Sequence, residues 1–538
     1  MDCSSRTLMA VPRPMRSPRQ ESSHRRRSGL SLRLNGRQSF IGFGWSLDKC
    51  SPSGYGVKAP SDLRMSRLIL TADQRNAVEG ILRDTQHPGA RVMLCGYAGT
   101  GKTVTTAALV GELRSCGLTV VVATPTHKAR TQVEKALKAN GAQDFECVTV
   151  HRLLGLKQVR DYKTGKESFK PDSPGKNLLA DGICKKTYQD YCSEHAEGET
   201  WKDYKKENSV CIDIVIVDET SMLHEDLYEY LISEAEKRPI VFVGDDRQLL
   251  PVKEDKVCAA FVDADSIYKL DEVLRHDGAI LNLATATRQL AIGRARFVDA
   301  IGGGSQIVSY RRRDEWLEFL LEMMAEPDSL DNPDRCRALA FTNKTVQELN
   351  RRIHQRRYGV NAPQYLDGMA CVTVDAVPDP LSGGPLLNST IEVYVRNAEV
   401  DIFKAPYDSD TTTPWRTWLL EVEPFDGGKI EEIRVLDKGE EKRWQETQKE
   451  FADAAKKCQD DNERRQSWKM FFERKDQIGR LEPASALTIH KSQGSTFENV
   501  FLHWDIDGWG SAPTAQQNQL SYVGITRASQ SLHVIKDR

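Results

Sequence analysis

The eight residues GYAGTGKT, 96 to 103, constrain the fold more than any other stretch of the chain. They lie between an apolar run, RVMLC, and a segment with helical spacing, TVTTAALVGEL. Strand, glycine-rich turn and helix, in that order, is the context in which G-x-x-x-x-G-K-[ST] cradles phosphate. Gly96, Gly99 and Gly101, with Thr100 between them, let backbone N–H groups turn toward phosphate oxygens, and the helix start adds its positive end. Lys102 is placed to reach the β- and γ-phosphates, and the Thr103 hydroxyl to ligate Mg²⁺. ATP and Mg²⁺ are therefore the expected cofactors. The loop alone does not say what the nucleotide is used for.

A carboxylate site is expected on another strand, and CIDIVIVDETSML provides it. Residues 212 to 217 are almost continuously apolar, as a buried parallel strand requires. Asp218 and Glu219 then emerge at the strand's C-terminal end, where α/β sheets bind ligands. Asp218 is expected to hold Mg²⁺ through water, and Glu219 to position and deprotonate an attacking water. The next strand, PIVFVG, runs into DDRQLLPV. Gln248 falls where a neutral side chain senses a γ-phosphate; a surface turn is its plainer alternative.

These stretches belong to a longer ordered set. LTADQRNAV, GYAGTGKT, ATPTHKA, TVHRLLG, VDETSM, GDDRQLLPV, LDEVLR, AFTNKTVQELN, LTIHKSQGSTFENV and LSYVGITRA follow one another between residues 66 and 538. In this order they resemble the motifs of superfamily 1 helicases of the type B, RecD-like branch. The resemblance implies two RecA-like P-loop NTPase motor domains, with a β-hairpin pin insert and a β-barrel plus helical tower insert. It implies that Gln74 reads adenine and that Arg527 and Arg275 supply positive charge to the transition state from the second motor domain. It also implies contacts to single-stranded DNA from Thr124, Pro125, His127, Thr149, His151, Thr488, His490 and Ser495. Hydroxyl and imidazole groups suit phosphate and sugar contacts that ignore base identity. Each has a structural alternative; Thr126, for instance, is equally suited to cap the helix KARTQVEKAL.

Domain limits follow from the same pattern. The first motor domain is expected at 65–155 and 208–290, the second at 291–365 and 483–538. The pin insert takes 156–207, where Thr164-Gly165 separates two strand-like stretches. Phe169 or Tyr162 is the aromatic expected to stack on an unpaired base, with cross-strand packing as the alternative. Residues 366–482 hold alternating strand-like runs and then, from 440 to 477, a stretch without Gly or Pro. Trp444, Phe451 and Cys458 recur every seven residues there, and Trp468, Phe471 and Phe472 share a second face, so two packed helices are expected, turning at 460–462.

Charge narrows the partners. Residues 1–64 hold 12 Lys+Arg and 4 Asp+Glu, a balance of +8, so the remainder carries −10 of the chain's net −2. Nucleic acid must then meet a local groove and not bulk charge. The tail itself, rich in Ser, Arg and Pro, reads as disordered or as a targeting segment. No apolar run reaches membrane-spanning length. The 12 cysteines include no C-x-x-C pair, which fits a reducing compartment. Cys184, Cys192, His195 and Cys211 match no zinc spacing.

The composite expectation is an ATP-dependent 5′-to-3′ DNA helicase. It would act as a monomer on single-stranded and fork DNA, alongside single-stranded DNA-binding or replication proteins, in the cytoplasm or at the nucleoid. An RNA-acting relative and a scaffold with a vestigial ATPase are the alternatives.

Overall fold

The computed structural model describes residues 68 to 536, apart from 173–175, most of 185–206, and 250–256, 273–277, 291–295, 380–384, 426 and 507–514. The expectations placed on residues 1–64, on Arg275, on Cys192 and His195, and on most of 171–210 lie outside the described residues.

Six parallel strands form the first sheet, in the order Ser266–Leu270, Arg91–Gly96, Ile240–Gly244, Ile214–Val217, Val120–Thr124 and Glu146–Thr149. The central strands are buried along almost their whole length, which is why they read as unbroken apolar runs and not as alternation. The phosphate loop and the Asp218–Glu219 pair both leave this sheet at its C-terminal edge.

A second six-stranded sheet follows the order Ala300–Gly302, Ser305–Tyr310, Ala528–Ile535, Phe497–Leu502, Cys336–Ala340 and Ala486–Thr488. Its first pair is antiparallel and the rest parallel. The molecule thus has two RecA-like α/β lobes. One boundary differs from expectation. Helix Ala279–Gln289, expected in the first lobe, buries Ala279, Ile280 and Ala284 in the second core beside Leu520 and Val523 of helix Ala515–Thr526. Small residues let the two helices approach closely, a tertiary preference that local spacing does not reveal.

Between strands Cys336–Ala340 and Ala486–Thr488 the chain leaves the second lobe to build an antiparallel sheet. Its order is Glu431–Leu436, Trp415–Pro424, Glu392–Phe403, Ala370–Thr373 and Leu481–Pro483. Its two edges meet where Gly479 N–H donates to Arg434 O at 2.8 Å, curling the sheet toward a barrel. From it rise helices Glu441–Lys457 and Asp461–Lys475, the second capped by Asp460. Trp444 at the base packs edge-on against Trp415, with ring centroids 4.9 Å apart. Arg474, fully buried, bonds Asp408 and Pro406 O beneath the same rings. Higher up, Ala455, Trp468 and Phe472 make a small core of their own.

The hairpin Leu156–Asp161 and Lys166–Pro171 leans on this tower. Arg160 forms a two-pronged pair with Asp476, and Lys163 meets Asp461 at 2.8 Å. Tyr162, at the turn, packs edge-on to Phe472. Gly165 has φ +70°, and a Cβ there would fall 2.4 Å from the Trp468 ring, so position 165 tolerates no side chain. Among the described residues no helix is long and apolar enough to cross a membrane.

Trp468 therefore holds the helix pair and the hairpin turn together. Trp468→Ala should destabilise this unit by about 3–5 kcal/mol. Hydrogen exchange should rise across 441–475 and 156–171 while strand Arg91–Gly96 stays protected. Exchange rising uniformly through the chain would refute an independent tower.

Candidate nucleotide and nucleic-acid site

The phosphate loop turns through Gly99 (φ +87°) and Gly101 (φ +82°), conformations that favour glycine. At Gly96 a Cβ would lie 2.6 Å from Thr100 Oγ1, so the third glycine is required by close approach. Lys102 Nζ donates to Gly96 O at 2.7 Å and Tyr97 O at 3.0 Å, so its amine lies inside the curve of the loop. Thr103 is the second residue of helix Lys102–Ser115. Gln74 sits behind the loop, 1 % exposed. Its Nε2 donates to Thr100 O at 3.1 Å, and its Oε1 accepts from Thr71 N–H in a capping box. Expected as the adenine reader, Gln74 here ties the loop, through Nε2, to the start of helix Ala72–Asp84, through Oε1.

Asp218 follows the fully buried strand Ile214–Val217 and is itself 6 % exposed. Burial, and then the neighbouring Glu219, push its pKa well above the ordinary carboxylate range; Lys102 pulls it back down. Glu219 takes a left-handed backbone, φ +54° and ψ 41°, and its N–H donates to Asp218 Oδ1 at 2.7 Å. Such a conformation costs a non-glycine residue about 1 kcal/mol or more and is characteristic of functional turns. The Thr103 hydroxyl and Asp218 carboxylate are hard oxygen donors of the kind Mg²⁺ takes. Bound there, Mg²⁺ would neutralise phosphate charge. Gln248, 7 % exposed, meets Ser221 Oγ through its Oε1 at 3.5 Å, joining the VDETSM and GDDRQLL segments.

The second lobe closes on this edge. Ala98 of the loop and Leu249 pack into the second lobe's core. Tyr522 Oη donates to Asp245 at 2.7 Å and accepts from Ala98 N–H at 3.1 Å. Arg288 bonds Asp246 at 2.5 Å and Asp245 at 3.3 Å, with its guanidinium 3.6 Å from the Tyr97 ring centre. Arg527 is 7 % exposed, and its donors reach Val523 O, Ser495 O and Thr526 Oγ1. Among the described residues, the hydrogen bond from the second lobe to the loop comes from Tyr522, five positions before Arg527. The sequence signal for it was present in YVGITRA but overshadowed by the arginine.

The lobes also meet away from the nucleotide edge. Thr126 caps helix His127–Ala139 through Ala129 N–H, and Thr124 Oγ1 donates to Thr126 O. Pro125 is buried and His127 exposed. From that helix Gln132 reaches Ser495 Oγ at 3.2 Å, and Lys128 reaches Lys491 O at 3.0 Å and Glu392 at 3.4 Å. Thr488, 8 % exposed, accepts from Lys491 N–H. His490 is half-buried near Phe341, and burial lowers its pKa. Thr149 caps the turn that carries His151. The His151 and Phe169 rings lie 4.2 Å apart, tilted by 48°, and Phe169 is 54 % exposed. Phe169 pairs with Gln158 along the hairpin, so it stands beside His151 and not at the turn. The aromatic at the turn is Tyr162, and it faces the tower.

The described chain thus brings a phosphate loop, two carboxylates and a second α/β lobe to one edge. A family model described as an AAA domain matches residues 69–311, and one described as a UvrD-like helicase C-terminal domain matches 483–535. The ATP-dependent DNA helicase Dda of Enterobacteria phage T4 is 24 % identical over 486 residues, spanning 85 % of this chain and 97 % of Dda. The chain is a homologue of the Dda and RecD helicases. The RecBCD subunit RecD of Mycobacterium tuberculosis is 28 % identical over 48 % of this chain and 40 % of RecD. A crystal structure of Bacteroides Pif1 helicase with ADP-AlF3 and ssDNA shows 16 % identity and a TM-score of 0.43, covering 87 % of this chain and 92 % of that one. The Dda match covers more of this chain than either family model does.

Because burial raises the Asp218 pKa, the folded state binds that proton more tightly than the unfolded chain does. Its contribution to stability therefore falls as pH rises from the ordinary carboxylate range toward neutrality. Without nucleotide, Asp218→Asn should be more stable than the unaltered chain in urea at pH 8, by roughly 1–3 kcal/mol. The difference should shrink toward pH 4; the same difference at both pH values would show that the buried charge is not the cause.

Proposed function

We propose that this chain is an ATP-dependent DNA helicase that moves 5′-to-3′ along single-stranded DNA and opens duplex ahead of it. The observation that carries the reading is the meeting of two α/β lobes at one phosphate loop, with Ala98 packed in the second core and bonded to Tyr522. A nucleotide gripped from both lobes couples their closure to its terminal phosphate.

In this reading Lys102 and the loop N–H groups hold the phosphates, while Thr103 and Asp218 hold Mg²⁺. Glu219 takes the proton of the attacking water, and Gln248 reads the γ-phosphate. Arg527 and Arg275 are the candidates for charge delivered from the second lobe; an arginine in that role accelerates hydrolysis by roughly 10³–10⁵-fold. Arg527 is anchored to Ser495 O, which ties its position to the segment that touches Gln132 of the first lobe.

The track runs across the line of Thr124, Pro125, His127, Thr149, His151, Thr488, His490 and Ser495. Several of these also cap or brace their own turns. That dual use fixes hydroxyl and backbone groups in place for phosphate and sugar contacts. Phe169, exposed and in tilted contact with His151, offers a face to an unpaired base. The protein works as a monomer on single-stranded and fork DNA, in the cytoplasm or at the nucleoid, beside single-stranded DNA-binding or replication proteins. The nine described cysteines, all free, are compatible with a reducing compartment.

Duplexes with a 5′ or a 3′ single-stranded tail, in DNA and RNA versions, test substrate and direction together. The 5′-tailed DNA should be unwound with ATP, and Lys102→Ala should lose both unwinding and DNA-stimulated hydrolysis while binding DNA as before. Unwinding from 3′ tails, or of RNA alone, would overturn the proposal. Phe169→Ala should slow unwinding about 10-fold or more while leaving translocation on single strands near normal, as expected if stacking worth about 1–3 kcal/mol is lost at the fork. Equal losses in both assays would remove Phe169 from strand separation.

A further inference from the structure

Strand Ile240–Gly244 ends on two carboxylates, Asp245 and Asp246, that the roles above leave unused. The Asp245 side chain is completely buried. It accepts from Tyr522 Oη at 2.7 Å, from Arg288 Nη2 at 3.3 Å and from Arg247 N–H at 3.1 Å. Asp246 takes the shorter bond from Arg288, 2.5 Å. Both donors come from the second lobe, on helices Ala515–Thr526 and Ala279–Gln289, which pack against each other. Each donor also touches the phosphate loop: Tyr522 at Ala98 N–H, and Arg288 over the Tyr97 ring. Burial raises the Tyr522 pKa, which keeps its hydroxyl a donor to Asp245.

The short turn after that strand therefore faces two ways. Through Gln248 it reaches Ser221, next to the Glu219 turn; through Asp245 and Asp246 it holds two helices of the second lobe. A buried carboxylate that loses a donor is left uncompensated, so this junction resists intermediate arrangements. A displacement of the turn or of the loop is passed to both helices as a rigid shift, because the core around them is close-packed.

We infer that Tyr522 and Arg288 are positioning residues for ATP hydrolysis, setting the second lobe against the phosphate loop through Asp245 and Asp246. Neither needs to touch the reacting atoms. They fix where the second lobe's charge arrives relative to the loop, and they carry the state of the nucleotide edge to helices Ala279–Gln289 and Ala515–Thr526. The inference rests on the helicase reading above and adds residues to it.

The test uses the full chain, ATP and oligo-dT. Tyr522→Phe keeps the ring and removes only the hydroxyl; Arg288→Gln removes the charge at a second point. Each should lower DNA-stimulated kcat about 10-fold or more, with the KM for ATP and the affinity for oligo-dT within about 2-fold, the signature of lost transition-state positioning. Thermal unfolding midpoints should stay within a few degrees of the unaltered chain. In an Asp245→Asn background, Tyr522→Phe should have a much smaller further effect, because the two act as one contact. Unchanged kcat in both variants, or equal damage to KM, DNA affinity and thermal stability, would overturn the inference. If the unaltered chain shows no DNA-stimulated hydrolysis, the helicase reading falls as well; if it does and both variants match it, only this assignment falls.

Discussion

Two neighbouring parallel strands each end on a buried carboxylate, and much of the site follows from what those carboxylates require. Ile214–Val217 ends on Asp218 and Ile240–Gly244 on Asp245. A charge taken out of water needs compensation close by. Asp218 has the Glu219 N–H and the nearby Lys102 charge, and it faces the phosphate side. Asp245 has a tyrosine and an arginine from the other lobe. One sheet edge thus divides into a chemical half and a mechanical half, separated by the width of a single strand pair.

Much of this was legible in the amino-acid sequence because it is local. The loop, the apolar strands before Asp218 and Asp245, the hairpin turn at Thr164-Gly165 and the paired helices of the tower all follow from short-range periodicity and turn chemistry. What was not legible depends on contacts between distant segments. Helix Ala279–Gln289 has the length and spacing of either lobe's helices, and only its fit against Ala515–Thr526 decides where it packs. Gln74 carries an amide suited to a base, and its bond to Thr100 O joins residues 26 positions apart, a contact that short-range spacing does not reveal. Arg527 sits in a motif that points to charge delivered to the nucleotide, and the carbonyls that hold its guanidinium, Val523 O and Ser495 O, come from segments that local spacing does not bring together. Phe169 lies close to the turn in sequence, but the strand register pairs it with Gln158 and sets it against His151.

The lobes are joined at the track side as well. Lys128, Glu392 and Arg337 form a largely buried ionic chain from the first-lobe helix His127–Ala139 through the antiparallel insert to the second lobe. Burial opposes the charge on Glu392, but Arg337 and Lys128 outweigh it and hold the carboxyl below its ordinary range. Pairs of this kind contribute little net stability, and breaking one partner leaves the others exposed to the full desolvation penalty. Their worth here is geometric: the insert is registered to the first lobe and not only to the second, from which its chain departs.

That chain departs and returns through one ladder, Ala370–Thr373 beside Leu481–Pro483, with Ala484 N–H bonded back to Ala370 O. The insert between them, including the tower, is topologically a pendant. A load borne by the hairpin where it leans on Asp476, Asp461 and Trp468 travels down the tower and reaches the second lobe through this narrow neck and the Glu392–Arg337 pair. The neck and the Lys128–Glu392 node then act as two fulcrums of one lever.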